Sequence, residues 1–119
     1  MTKLKSPADW DECLAASCKQ PLLVFKHSTR CPISAAARNR LLGYLDEAGV
    51  DSPPVFEVLV IESRSISNVV AETLGVSHQS PQLLLLKDRR CVWTVSHHEI
   101  SEKKIADAMK TFGASPTPS

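Results

Sequence analysis

Cys31 is the residue best placed to do chemistry, and its neighbours say which chemistry. The continuous apolar run Leu22-Leu23-Val24-Phe25 leads through a short polar loop, His27 to Arg30, into Cys31-Pro32-Ile33-Ser34. Pro32 suits the first position of a helix. A cysteine at a helix start lies beside unpaired N–H groups and the positive end of the macrodipole. Both favour the thiolate, which is the nucleophilic form. Arg30 and His27 add positive character nearby. Position 34 carries a hydroxyl, so Cys31 has no partner for an internal Cys-x-x-Cys disulfide. A mixed disulfide formed on Cys31 must then be resolved by an outside thiol, which makes a small-molecule thiol the expected partner. The Ser34 hydroxyl is also a candidate hydrogen-bond donor to the thiolate.

The elements that must position this thiol follow from patterning. Ser6 caps a first helix with Pro7 at its first position and Asp9 in its first turn. Trp10, Cys13, Leu14, Ser17 and Cys18 share one face of that helix, which Pro21 ends. Leu22 to Phe25 reads as a strand buried on both sides. The helix from Pro32 turns Ile33, Ala37, Leu41, Tyr44 and Ala48 inward and stops at Gly49. Val55 to Ile61 is a strand rich in β-branched residues. Ile66, Val69, Val70 and Leu74 mark a third helix, stopped at Gly75. Gln82 to Leu86 and Cys91 to Val95 form a hairpin around Lys87-Asp88-Arg89-Arg90. A last helix starts at Ser101, with Ile100 and Ile105 as a hydrophobic staple. The order gives an α/β fold with a four-stranded mixed sheet flanked by helices. Residues 1–112 form one domain, and residues 113–119 are read as a flexible tail.

Bulk properties narrow the function. A chain of 119 residues fits one domain. The formal net charge of +1 gives no footprint for nucleic acid or an anionic membrane. No apolar run is long enough to span a bilayer. The opening Met1-Thr2-Lys3-Leu4-Lys5-Ser6-Pro7 has no apolar stretch behind its lysines and is not read as a signal peptide. The expected compartment is the cytosol, where the four cysteines would be free thiols and not a disulfide scaffold.

Order and motif together resemble the thioredoxin fold, which keeps a reactive sulfur at this strand–helix junction. That fold places a cis-proline before its third strand, facing the thiol, and Ser80-Pro81 stands at that point. The Ser80 backbone would then pair with an extended substrate chain. More specifically, the chain resembles the YtxJ-type monothiol bacilliredoxins, thioredoxin-like proteins of the bacillithiol system. The resemblance runs from about Trp10 to Phe112. It rests on Phe25-Lys26-His27-Ser28 before Cys31-Pro32-Ile33-Ser34, and on Val60-Ile61-Glu62-Ser63-Arg64 with Ser67-Asn68. It continues in Gly75-Val76, His78-Gln79-Ser80-Pro81-Gln82, and Trp93 followed by Ser96-His97. Arg30 departs from the pattern, where the family often has a small or hydroxyl residue.

The resemblance implies removal of bacillithiol, or of a related low-molecular-weight thiol, from mixed disulfides on proteins, as in S-bacillithiolated proteins. Cys31 would attack the bacillithiol sulfur, and free bacillithiol, the co-substrate, would regenerate it. A flavin disulfide reductase would recycle the bacillithiol disulfide. No bound cofactor is implied. The same resemblance places His78 and His97 beside Ser80 and Pro81 at the substrate edge.

Other readings compete. Cys13 and Cys18 fit core packing, and Cys91 fits an edge or buried position. His27-x-x-x-Cys31 is the one close pair with familiar metal-ligand spacing, and without a second pair it does not make a zinc site. Peroxidatic Thr/Ser-x-x-Cys sites carry a proline four residues earlier, where this chain has Val24. Two classes stay open beside the oxidoreductase. One is an adaptor that recognises chains at Ser80-Pro81. The other is an iron–sulfur carrier of monothiol-glutaredoxin type, with Cys31 as ligand.

Overall fold

A computed structural model describes residues 1–113. The elements in chain order are β1 (Thr2–Lys3), α1 (Pro7–Ser17), β2 (Leu22–His27), α2 (Pro32–Ala48), β3 (Val55–Leu59), α3 (Arg64–Leu74), β4 (Gln82–Lys87), β5 (Arg90–Ser96) and α4 (Glu102–Phe112). Short 3-10 turns at Gly49–Asp51 and His97–Glu99 follow α2 and β5. The sheet order is β1-β3-β2-β4-β5. β3 pairs parallel with both β1 and β2, whereas β4 runs antiparallel to β2 and to β5. The sheet therefore has five strands, one more than the sequence pattern suggests. β1 has two residues, both exposed and polar, so neither alternation nor an apolar run marks it. Pairing and charge hold it: the Leu4 N–H donates to the Glu57 carbonyl (2.9 Å), and Lys3 Nζ reaches Glu57 Oε1 (2.8 Å).

The central strands explain their own composition. Leu22 and Val24 point into a core with Trp10, Cys13, Leu14, Ile66 and Val70 from α1 and α3. Leu23 and Phe25 point into a second core with Ala37, Leu41, Ile105 and Ala108 from α2 and α4. β4 divides in the same way, Leu84 and Leu86 to the first core, Leu83 and Leu85 to the second. A strand buried on both faces reads as an unbroken apolar run because successive side chains enter different cores.

Local signals set the helix ends. Asp9 N–H donates to Ser6 Oγ (3.2 Å) and Ser6 N–H to Asp9 Oδ2 (3.1 Å), a reciprocal capping box with Pro7 at the first position. Ser101 Oγ accepts from Lys104 N–H (3.1 Å), and Ile100 and Ile105 are both buried in the second core. The β4–β5 turn uses positive φ at Asp88 (52°) and Arg89 (66°), as a tight hairpin turn requires.

Four sequence expectations need correction. α1 ends at Ser17, so the apolar stripe ends there and Cys18 is exposed, while Ser17 is buried against the hairpin turn through Asp88 N–H (2.9 Å) and Arg89 N–H (2.9 Å). Ile33 is exposed, because the inward face of α2 begins with Ser34 and runs through Ala37 and Leu41. Val69 is exposed, and Ser67 takes a buried place on α3 instead. β3 stops at Leu59, where Ser63 N–H turns back to the Leu59 carbonyl (2.8 Å). Of the expected tail, residues 114–119 lie outside the described residues.

Candidate active site

β2 and β3 deliver the site at their C-terminal ends. β2 runs out at His27, the loop turns through Ser28 to Arg30, and Cys31 is the N-cap of α2 with extended backbone (φ −112°, ψ 119°). Cys31 N–H donates to the Ser28 carbonyl (3.3 Å), and the Cys31 carbonyl accepts the first helical bond, from Ala35 N–H (3.0 Å). Pro32 occupies the first helical position. The loop is tied to the β3–α3 connection by Thr29 Oγ1 donating to Glu62 Oε2 (3.2 Å). Arg30 is exposed beside the thiol.

All four cysteines are free, and their surroundings separate them. Cys31 is partly exposed. Cys13 is fully buried, and burial pushes its thiol up to about 12. Burial also raises the Cys91 thiol, which donates to the Trp93 carbonyl (3.3 Å). Cys18 is exposed and donates to the Leu14 carbonyl (3.7 Å). None of these three belongs to the Cys31 loop; Cys13 and Cys18 sit on α1 and its cap, Cys91 on β5.

Two roles expected around the thiol are different in the structure. Ser34 is fully buried, accepts a hydrogen bond from Ser28 N–H (3.0 Å), and lies 2.7 Å from His27 Nδ1. Its hydroxyl is thus committed to the loop and to His27, and Cys31 receives no side-chain cap bond. His27 is buried and stacks on Phe25, ring centroids 5.6 Å apart. Burial lowers its pKa, so it is a neutral imidazole at neutral pH and not a source of positive charge. Its position at the end of a doubly buried strand is the physical reason.

The second strand pair brings up the other side. Lys26 pairs with Gln82 in the β2–β4 register, so Pro81 comes level with the last residue of β2 and Ser80 lies just past it, where the Cys31 loop departs. The Ser80–Pro81 peptide is cis. The Ser80 hydroxyl is buried and has no hydrogen-bond partner among the described residues. Gln82 is buried and holds the preceding loop, accepting from Gln79 N–H (3.3 Å) and donating to the Ser77 carbonyl (3.1 Å). His97 follows β5 with φ +53°, and its N–H donates to the Pro81 carbonyl (3.0 Å). Arg40 of α2 donates to the His97 carbonyl (3.2 Å) and to that of Ile100. The expected residues Cys31, Pro32, Ser34, His27, Ser80, Pro81 and His97 therefore gather at one end of the sheet. His78 stands apart from them, on the α3 side: its Nδ1 lies 3.1 Å from Lys26 Nζ.

Three charged residues have places in the structure that their sequence context does not announce. Lys26 is fully buried on β2, although its position in an apolar strand marks it as unusual. Glu57 is 1% exposed and is gripped by Lys3 (2.8 Å) and Arg38 (2.7 Å). Burial raises its pKa, but the bonds from Arg38 and Lys3 outweigh that and hold it below the usual carboxylate range. Arg64 opens α3 beside His78. Among the described residues, no group of three or more His, Cys, Asp or Glu side chains could hold a metal ion, and no helix is long and apolar enough to cross a membrane.

Comparison with solved structures places this arrangement. A protein described as having a thioredoxin fold superposes with a TM-score of 0.80 at 28% identity, over 90% of this chain and 91% of the other. Fasciola hepatica thioredoxin matches with a TM-score of 0.73 at 15% identity, over 93% and 98% of the two chains. Mitochondrial thioredoxin 3 from Saccharomyces cerevisiae matches with a TM-score of 0.70 at 15% identity, over 93% and 94%. The fold is thioredoxin-like, a mixed five-stranded sheet flanked by four helices. The family model described as monothiol bacilliredoxin BrxC matches residues 2–105. The chain belongs to that family of thiol–disulfide oxidoreductases.

Proposed function

We propose that this protein removes bacillithiol from mixed disulfides on cytosolic proteins, with Cys31 as nucleophile, and that residues 1–112 act as one domain. One observation carries the reading: the partly exposed thiol at the start of α2 has a buried serine, not a second thiol, three residues on. The Cys31 thiolate attacks the bacillithiol sulfur of the mixed disulfide. The client–bacillithiol S–S bond breaks, a Cys31–bacillithiol S–S bond forms, and the client leaves as a thiolate that takes a proton from water. A bacillithiol thiolate then attacks the same sulfur, releasing the Cys31 thiolate and bacillithiol disulfide. A flavin disulfide reductase returns that disulfide to two thiols with two electrons.

The surrounding residues have positioning roles in this scheme. Pro32 starts α2 so that its free N–H end faces the sulfur. His27 and Ser34 fix the loop that presents Cys31. Arg30 adds the exposed positive charge. Ser80, ahead of Pro81, offers backbone groups to the client chain, with His97 braced against Pro81.

A client protein carrying a bacillithiol mixed disulfide tests the proposal, incubated with wild type or Cys31→Ser and followed by intact mass. Wild type strips the client and Cys31→Ser leaves it intact. Stripping by Cys31→Ser would overturn the assignment, and a coloured, cysteine-ligated cluster on purified protein would favour the iron–sulfur reading.

A further inference from the structure

Behind the thiol's end of the sheet lies a cavity of about 310 Å³ lined by Val60, Ile61, Arg64, Ser67, Asn68 and His78. Two of these lining residues hold Lys26. Its Nζ donates to the Ser67 carbonyl (3.1 Å) and lies 3.1 Å from His78 Nδ1. Lys26 is fully buried, and a buried cation is ordinarily paired with a carboxylate. Here both contacts are to uncharged acceptors, and among the described residues neither Lys26 nor Arg64 is in an ion pair. An ammonium has three donors, and these two contacts use two. The nearby carboxylate of Glu62 is exposed and engaged by Thr29. Arg64 thus brings a positive charge to the cavity wall and Lys26 a second one beneath Ser67 and His78, with no carboxylate among the lining residues. The cavity opens where the β3–α3 connection, tied to the Cys31 loop through Thr29, meets the loop leading to Ser80.

We infer that this cavity is a carboxylate-binding subsite for the small-thiol co-substrate, with Arg64, His78 and Lys26 as its recognition groups and Asn68 and Ser67 as polar walls. The inference rests on the thiol-exchange reading. A carboxylate there supplies the missing counter-charge to Lys26 and accepts charge-assisted hydrogen bonds from Arg64. In this reading the cavity anchors the small thiol by its carboxylate, whatever client carries it. The subsite thus selects the tag, while Ser80-Pro81 meets the client.

The test uses one client protein carrying either of two disulfide tags, 3-mercaptopropionate or its uncharged amide, 3-mercaptopropionamide. Because the client is constant, any preference reports the tag. Wild type removes the carboxylate tag about tenfold or more faster, as one charge-assisted hydrogen bond warrants. Arg64→Gln brings the ratio of the two rates toward one, and so does His78→Gln, which keeps an acceptor for Lys26. Equal rates by wild type overturn the subsite while leaving the exchange reading intact. An unchanged ratio in both variants overturns it as well. If wild type removes neither tag, the exchange reading is left to the bacillithiol-tagged client, and binding decides the subsite alone. NMR shifts at Arg64 and His78 that saturate with 3-(methylthio)propionate but not with its amide then uphold it, and no shift with either overturns it.

Discussion

His27 Nδ1 and Ser34 Oγ lie 2.7 Å apart, and both residues are buried, one at the end of β2 and the other in the first turn of α2. This contact and the Ser28 N–H bond to the same oxygen close the loop that carries Cys31. The hydroxyl after Cys31-Pro32-Ile33 therefore fixes where the thiol sits. Removing it in Ser34→Ala leaves a buried imidazole nitrogen and a backbone N–H without partners. The expected cost is about 1–3 kcal/mol of unfolding free energy, read from urea denaturation. No measurable loss would mean that the loop does not depend on this bond.

The two lowered histidines give stability a pH dependence. His27 and His78 are both held below the ordinary imidazole range, in each case chiefly by burial. Their unfolded forms titrate near 6.5. Their contribution is complete above about pH 6.5 and is lost as pH falls toward the folded values, because the unfolded chain then binds more protons. Urea midpoints should drop between pH 7.5 and 5. The drop should be shallower in His27→Asn, which keeps a polar group facing Ser34.

Glu57 predicts a different acid response. Its carboxylate is buried between Lys3 and Arg38, and its lowered pKa means that the stabilisation is present above about 4.5 and lost as pH falls. Arg38→Met should cost about 1–3 kcal/mol at pH 7, less than a fully buried pair would, since Arg38 is 35% exposed and Lys3 remains. The penalty should shrink near pH 4, where Glu57 protonates in the variant. Equal penalties at both values would show that Arg38 acts through packing alone.

Thiol labelling should follow the burial pattern. Cys13 is fully buried with its thiol at about 12, so in the folded protein at pH 7.5 its thiolate fraction is on the order of 10³-fold below that of a free thiol. Peptide mapping after brief iodoacetamide treatment should find Cys31 modified and Cys13 untouched until urea unfolds the chain. Early modification of Cys13 would contradict the packing of α1 against β2.

Much of this was legible because local chemistry and tertiary role agree. Ser6 and Ser101 cap the helices that they announce, and Leu22 to Phe25 run unbroken because they feed two cores. The thiol's place between strand and Pro32 was legible for the same reason. Thr2 and Lys3 were not, because a two-residue polar strand is defined by its partner Glu57 and by nothing in its own pattern. The roles of His27 and Ser34 were misread because burial depends on how deep β2 runs into the sheet, which side-chain type does not reveal. Lys26 and His27 are neighbours in sequence, yet alternation sends them to opposite faces, one toward α3 and one toward α2. Only the folded sheet shows that Lys26 meets Ser67 and His78, residues 41 and 52 positions away.

A single sulfur carries the exchange in the proposed scheme. The most direct measurement is a site-resolved mass map of the protein, acid-quenched during turnover on a bacillithiol-tagged client without free bacillithiol. The expected result is one bacillithiol per chain, on Cys31, with Cys13, Cys18 and Cys91 unmodified. An adduct on one of those three instead, or a disulfide between Cys31 and any of them, would contradict the monothiol mechanism.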